Sequence, residues 1–154
     1  MALFVDTVLI SVEIPIMQHS SRIFAPLNNN KPSDMRYSVD HIDNTATLMI
    51  HEERLDSITS SEFKGELVVL CRSGIEVLFI DMSQIVYCDS AGLGAMLLAH
   101  REMKASGGYS IIVALTPTVK SLIELAHLDQ VLYIYDTREE AMADLTREEE
   151  EGEG

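Results

Sequence analysis

Ile80-Asp-Met-Ser-Gln-Ile-Val-Tyr-Cys-Asp-Ser-Ala-Gly-Leu-Gly94 is the stretch from which the fold is read. It opens at the end of Ile75-Glu-Val-Leu-Phe-Ile80, a short and mostly apolar run, as expected of a strand covered on both faces. It closes on Ser90, after which Leu93, Met96, Leu97, His100 and Met103 recur at helical spacing until Gly107-Gly108 ends the pattern. A strand that hands over to a helix through a short connection is half of a βαβ unit. In open α/β sheets, functional residues lie just beyond the carboxyl ends of strands. That places the candidate working segment at Asp89-Ser90-Ala91-Gly92-Leu93-Gly94.

Outward from this stretch, the same alternation continues in both directions. Arg36 to Asp40 and Thr45 to His51 read as strands joined by a hairpin turn at Asp43-Asn44. Thr59-Ser-Ser-Glu62 has the form of a capping box, and Phe63, Leu67, Leu70 and Cys71 follow at helical spacing up to Gly74. Downstream, Tyr109 to Leu115 is a buried strand. Thr116-Pro117 is an N-cap with proline at the first helical position, opening a helix to about His127. Val131 to Tyr135 is the last strand, and Thr137-Arg-Glu-Glu140 is a second capping box, opening a helix to about Leu145. The order ββαβαβαβα predicts an α/β fold with a mixed, mostly parallel β-sheet and about four helices.

The outer segments read differently. Residues 1–34 begin apolar and pass through Pro26-Leu-Asn-Asn-Asn-Lys-Pro32, an Asn/Pro-rich linker. They read either as a flexible extension or as the product of a start codon placed too early. The regular pattern, and so the domain, covers residues 35–145. Residues 146–154 carry a run of glutamates that repel one another and are expected to form a disordered acidic tail.

At 154 residues and 47% apolar content the chain supports one core, hence one domain beside its extensions. A net charge of −14 argues against nucleic acid and against anionic membrane surfaces. Asp6 and Glu13 interrupt the apolar start and no Lys or Arg precedes Arg22, so neither a secretory signal nor a spanning helix is expected, and the location reads as cytoplasmic. Cys71 and Cys88 lie in apolar runs and are expected to be buried and reduced. With no Cys/His metal spacing and no phosphate loop, no metal or other cofactor is expected.

Ser90 would sit at a helix N-terminus, where free N–H groups and the helix dipole favour an anion. Ala91, Gly92 and Gly94 keep bulk away, so the backbone of a partner protein has room to approach. A phosphate on Ser90 would add about two negative charges to any interface there, which is the physical basis of a switch. Spacing alone leaves another reading open, in which Asp89 or Ser90 is only an N-cap and the glycines only packing devices.

Asp89-Ser90-Ala91-Gly92-Leu93-Gly94, preceded by Asp81-Met-Ser83, resembles the signature of STAS domains, specifically of bacterial anti-sigma factor antagonists. The similarity covers about residues 35–145, including the Arg54-Leu55-Asp56 turn and the Thr116-Pro117 helix start. It implies a STAS-type fold and a binding protein rather than an enzyme. It also implies that Ser90 is the residue phosphorylated by an anti-sigma factor that doubles as a serine kinase, and that a PPM-type phosphatase reverses the step. Asp56, Asp89, Ser90, Ala91, Gly92, Leu93 and Gly94 are then the partner-binding residues. One departure stands out: the family pattern Gly-x-Leu-Asp has Glu53 in place of its glycine, which implies a loop of different shape before Asp56.

Two rivals remain. A serine hydrolase needs Gly-x-Ser-x-Gly at the strand-to-helix turn and a partner histidine, whereas Ser90 lies in Asp-Ser-Ala-Gly. A STAS domain also serves as a scaffold in stress-signalling assemblies or as an accessory subunit of lipid transporters. Genomic neighbours would separate those roles from the anti-sigma switch.

Overall fold

Six residues on either side of Asp43-Asn44 pair across a hairpin, Tyr37 opposite Ile50 through Ile42 opposite Thr45. Asp43 takes a left-handed φ of 52°, which the short polar side chain of aspartate tolerates better than most residues. The computed structural model describes Arg22–Ile23 and residues 35–152. Within them the strands are β1 (Arg22–Ile23), β2 (Tyr37–Ile42), β3 (Thr45–Ile50), β4 (Arg54–Leu55), β5 (Val77–Asp81), β6 (Tyr87–Cys88), β7 (Tyr109–Val113) and β8 (Tyr133–Tyr135). Among the described residues the helices are α1 (Ser60–Cys71), α2 (Ser90–Ala105), α3 (Pro117–Leu125) and α4 (Arg138–Gly152), with a 3-10 turn at Leu128–Gln130. The remainder of 1–34, including the Asn/Pro linker, lies outside the described residues.

Six of the strands form one sheet in the order β1-β2-β3-β5-β7-β8. β1, β2 and β3 pair antiparallel, while β3, β5, β7 and β8 pair parallel through helical crossovers. This is the mixed, mostly parallel sheet that the alternation of elements predicts.

The sequence of β5 explains its place. Leu78 and Ile80 point into the main core with α1, α2 and α3, while Phe79 points to the other face and packs with Ile111, Val113 and Ala141 of α4. A strand buried on both faces has no room for alternation, hence the nearly continuous apolar run. β3 is fully buried only on every second residue, Ala46, Leu48 and Ile50, while Thr45, Thr47 and Met49 on its other face are partly buried.

The helices differ from the sequence reading in informative ways. Along α2 the fully buried line is Ala95, Met96, Ala99 and Met103, and Leu93 and Leu97 are only partly buried. The small alanines let α2 lie close against α1, and the leucines are displaced to the flank. The capping box at Thr59 does not form: Thr59 already has helical angles, and its side chain accepts no hydrogen bond from the helix. Its hydroxyl turns back to accept from the Asp56 backbone N–H at 3.1 Å. At α3 the Thr116 hydroxyl likewise leaves its own helix and donates to the Ile85 carbonyl at 2.7 Å, while Pro117 does open the helix. Of the second capping box, the Thr137 hydroxyl accepts from Glu140 N–H at 3.1 Å. His127 ends α3 in a left-handed conformation, φ 60°.

The acidic run after Leu145 is helical as far as Gly152, as α4 continues through it. Glutamate is a good helix former, and Arg147 pairs with Asp144 one turn back. Yet Ala141 is the buried residue of this helix and Leu145 the last to pack on the sheet. Cys71 and Cys88 are buried and unpaired, and burial first of all pushes both thiols up to about 12. Among the described residues no helix is long and apolar enough to cross a membrane.

Two stability outcomes follow from the uneven burial of α4. Phe79→Ala empties the space under Ala141 and should cost about 3–5 kcal/mol in denaturant unfolding. Residues 147–152 are exposed, and removal of residues 147–154 should move the melting temperature by less than about 2 °C, since each kcal/mol is worth about 2–4 °C in a chain of this size. A larger loss from the truncation would show that the acidic turns pack where the structure leaves them exposed.

Candidate functional site

After Asp81 the chain makes a tight turn in which the Asp81 carboxylate accepts from Ser83 N–H at 2.9 Å. Ile85 then drops into the core and β6 runs alongside β4, Arg54 opposite Tyr87 and Leu55 opposite Cys88. These two strands are a separate two-stranded sheet at the carboxyl end of β5. Val86 N–H and Tyr87 N–H both donate to the Glu53 carbonyl, and Asp89 N–H donates to the Leu55 carbonyl. The Arg54 guanidinium lies 4.1 Å from the centre of the Tyr87 ring. Sequence reasoning passed over this platform, since strands of two residues have no periodicity to detect. The one available signal was Ile85-Val-Tyr87, three residues of high strand propensity followed by Cys88.

β6 delivers the chain to Asp89, the cap of α2, whose extended backbone leaves the carboxylate facing the helix start. One oxygen, Oδ1, accepts from Ala91 N–H at 2.9 Å and Gly92 N–H at 3.1 Å. The other, Oδ2, reaches across and accepts from Ser57 N–H in the loop after β4 at 3.1 Å. A single carboxylate therefore fastens the β4–α1 loop to the start of α2. Loss of an N-cap alone costs about 1 kcal/mol, before the cross-loop bond is counted.

The β4–α1 loop is built around a second acid. Asp56 Oδ1 accepts from Ile58 N–H at 3.0 Å and Thr59 N–H at 3.3 Å, and Oδ2 accepts from Arg54 Nε at 3.3 Å. The Thr59 N–H bond, the largest influence, acts with the bonds from Ile58 and Arg54 to hold the Asp56 carboxyl below the usual carboxylate range, against an opposing effect of burial that ranks second. Asp56, and not Thr59, thus closes the turn that leads into α1. Both residue types are able to cap, which is why the sequence alone did not separate them.

The six residues from Asp89 to Gly94 divide by exposure. Ser90 is exposed at the first helical position, and among the described residues nothing hydrogen-bonds to its hydroxyl. Ala91, Leu93 and Gly94 are partly buried. Gly92 is buried, and a Cβ there would lie 2.5 Å from the Leu55 carbonyl oxygen and 2.6 Å from Cys88 Sγ. Its missing side chain serves the contact between α2 and the small sheet rather than room for a partner. Gly94 is different: a Cβ there meets only Lys64 Nζ, at 3.8 Å. Of the first three N–H groups of α2, those of Ala91 and Gly92 are already engaged by Asp89, so an anion at Ser90 meets the helix dipole but fewer free donors than the bare motif suggests. Ile58 in the β4–α1 loop and Tyr87 in β6, both exposed, flank the segment.

The unequal roles of the two glycines give a direct comparison. Gly92→Ala forces backbone and sulfur apart and should destabilise by about 1–3 kcal/mol. Gly94→Ala should be neutral or stabilising by up to about 1 kcal/mol, since it removes a flexible residue from a helix. Denaturant midpoints measure both, and a Gly92→Ala protein as stable as wild type would mean that α2 and β4 are not in this contact.

Comparison with known proteins supplies the context. The family model described as STAS domain matches residues 36–141. A Thermotoga maritima protein described as an anti-sigma factor antagonist is 31% identical over 74 residues, which is 48% of this chain and 66% of that one. The crystal structure of an anti-sigma factor antagonist from Mycobacterium paratuberculosis superposes with a TM-score of 0.65 at 20% identity, covering 73% of this chain and 95% of the other. The Bacillus cell-fate determinant SpoIIAA, solved in its phosphorylated form, gives a TM-score of 0.56 at 19% identity, with 71% and 98% covered. The last two likenesses concern the fold, and the match to the family model over most of the chain decides the relationship. The chain belongs to the STAS domain family.

Proposed function

We propose that this chain is an anti-sigma factor antagonist that acts by binding, not by catalysis, and is switched by phosphorylation of Ser90. The observation that carries the reading is the contrast at the start of α2. Asp89 and Gly92 are committed to holding the loops and the helix together, while the Ser90 hydroxyl between them is exposed and unengaged. A hydroxyl in that position is accessible to a kinase, and its modification leaves the supporting hydrogen bonds in place. The names of the relatives, and the existence of SpoIIAA in a phosphorylated form, support the same reading.

The partner in this reading is an anti-sigma factor that is also a serine kinase, with a PPM-type phosphatase restoring the unmodified form in the cytoplasm. The kinase docks on the surface formed by the β4–α1 loop and the first turns of α2. Ser90, Ala91, Leu93 and Gly94 meet it directly. Asp56 and Asp89 keep the two loops in register, and Gly92 acts through the close packing it permits. A phosphate on Ser90 sets about two further negative charges beside Asp89, in a chain already at −14. Like charges brought together at an interface cost several kcal/mol, and each 1.4 kcal/mol is tenfold in affinity. The fold has no comparable cost, because the new charge lies on solvent at a helix N-terminus.

The test is incubation with the candidate anti-sigma kinase and ATP, followed by mass spectrometry of the digested chain. One phosphate on Ser90 is expected, and Ser90→Ala should take up none while still binding the kinase. Phosphate on Ser83 or Thr116 in its place would refute the assignment.

A further inference from the structure

The two edges of the main sheet are finished differently. At one edge β1 pairs with β2, whereas at the other, among the described residues, no strand lies beyond β8. The Tyr135 carbonyl accepts from Ala114 N–H on the β7 side. Successive residues of a strand turn their backbone groups to opposite edges, so Tyr133 and Tyr135 face β7 and Ile134 directs its N–H and C=O outward. A cavity of about 440 Å³ runs along this edge. It is bounded by α3 through Lys120, Ile123 and Glu124 and by α4 through Glu140, with β8 as its floor. An open strand edge lying in a groove between two helices is the geometry that accepts an added strand.

Charge selects the occupant. Glu124, Asp129, Asp136 and Glu140 line the groove, all four exposed, against the single cation Lys120. A second copy of this chain docked edge to edge would bring those acids against themselves, in a molecule that already carries −14. We propose that the β8 edge is a second docking site, which takes an extended basic segment of a partner protein as an additional strand. Its backbone pairs with Ile134 and its lysine or arginine side chains meet the acids on either wall. The site is separate from the Ser90 segment in both residues and elements.

The probe is an end-blocked hexapeptide alternating arginine and valine, titrated into the full chain by calorimetry and by amide NMR. Saturable binding that shifts the Ile134 amide is expected. An analogue with every backbone amide methylated keeps the charge but loses the pairing groups, and should bind at least about tenfold more weakly. The double change Glu124→Lys and Asp136→Lys, both at exposed positions, should weaken binding by about as much, with the melt unchanged. Ser90→Ala should leave it unaltered, so the result is independent of the phosphorylation switch. Absence of saturable binding, equal binding of the methylated peptide, an undisturbed Ile134 amide, or self-association of the chain through this edge would each overturn the proposal.

Discussion

Three backbone N–H groups, from Ser57, Ala91 and Gly92, converge on the Asp89 carboxylate, and the arrangement of the candidate site depends on them. The loop after β4 and the start of α2 are 32 residues apart in sequence. Parallel pairing of β4 with β6 brings them together, and Asp89 then joins them through one ionised group. Hydrogen bonds to a charged acceptor are shorter and about twice as strong as neutral ones, which suits a junction that lies near the surface. Asp56 repeats the device within its own loop, with Arg54 reaching both its carboxylate and the Tyr87 ring.

Beneath this junction the packing leaves little freedom. Leu55, Ile85 and Cys88 are buried, and the backbone of Gly92 approaches Leu55 so closely that no side chain fits between them. The Thr116 hydroxyl ties the Ile85 carbonyl to the start of α3, so the connection between β5 and β6 is held from both sides. Ser90 thus projects from a rigid support. In the proposed switch a phosphate there would act on whatever approaches the surface, since the hydrogen bonds of the support do not involve the Ser90 hydroxyl.

Much of this was legible from residues alone, and the exceptions share a cause. The run Ile75 to Ile80, the helical spacing behind Phe63 and the Asp43-Asn44 turn are local signals, and each gave the right element, with the strand itself at Val77–Asp81. Ser90 at a helix start was legible because the strand before it and the periodicity after it bracket the position. The β4–β6 pair was not, because two-residue strands exist only by virtue of each other. Thr59 and Thr116 look like caps in sequence, but their hydroxyls are drawn to Asp56 and Ile85 by contacts that only the folded chain supplies. Ala95 and Ala99 were passed over in favour of the larger Leu93 and Leu97, since the closeness of α1 is a tertiary fact. In α4 the like charges of Glu148 to Glu151 argued for a tail, whereas helix propensity carried the helix through them.

The central claim is that the state of Ser90 controls an interface while leaving the fold untouched. It is tested most directly by titrating the anti-sigma kinase with the chain before and after quantitative phosphorylation, recording amide NMR spectra of both forms. The account predicts affinity lower by at least about tenfold in the phosphorylated form. Amide shifts should be confined to the Ser57 loop and the first turns of α2, with Leu48, Ile80 and Ile112 unmoved. Equal affinity of the two forms, or shifts spread through the sheet, would contradict it.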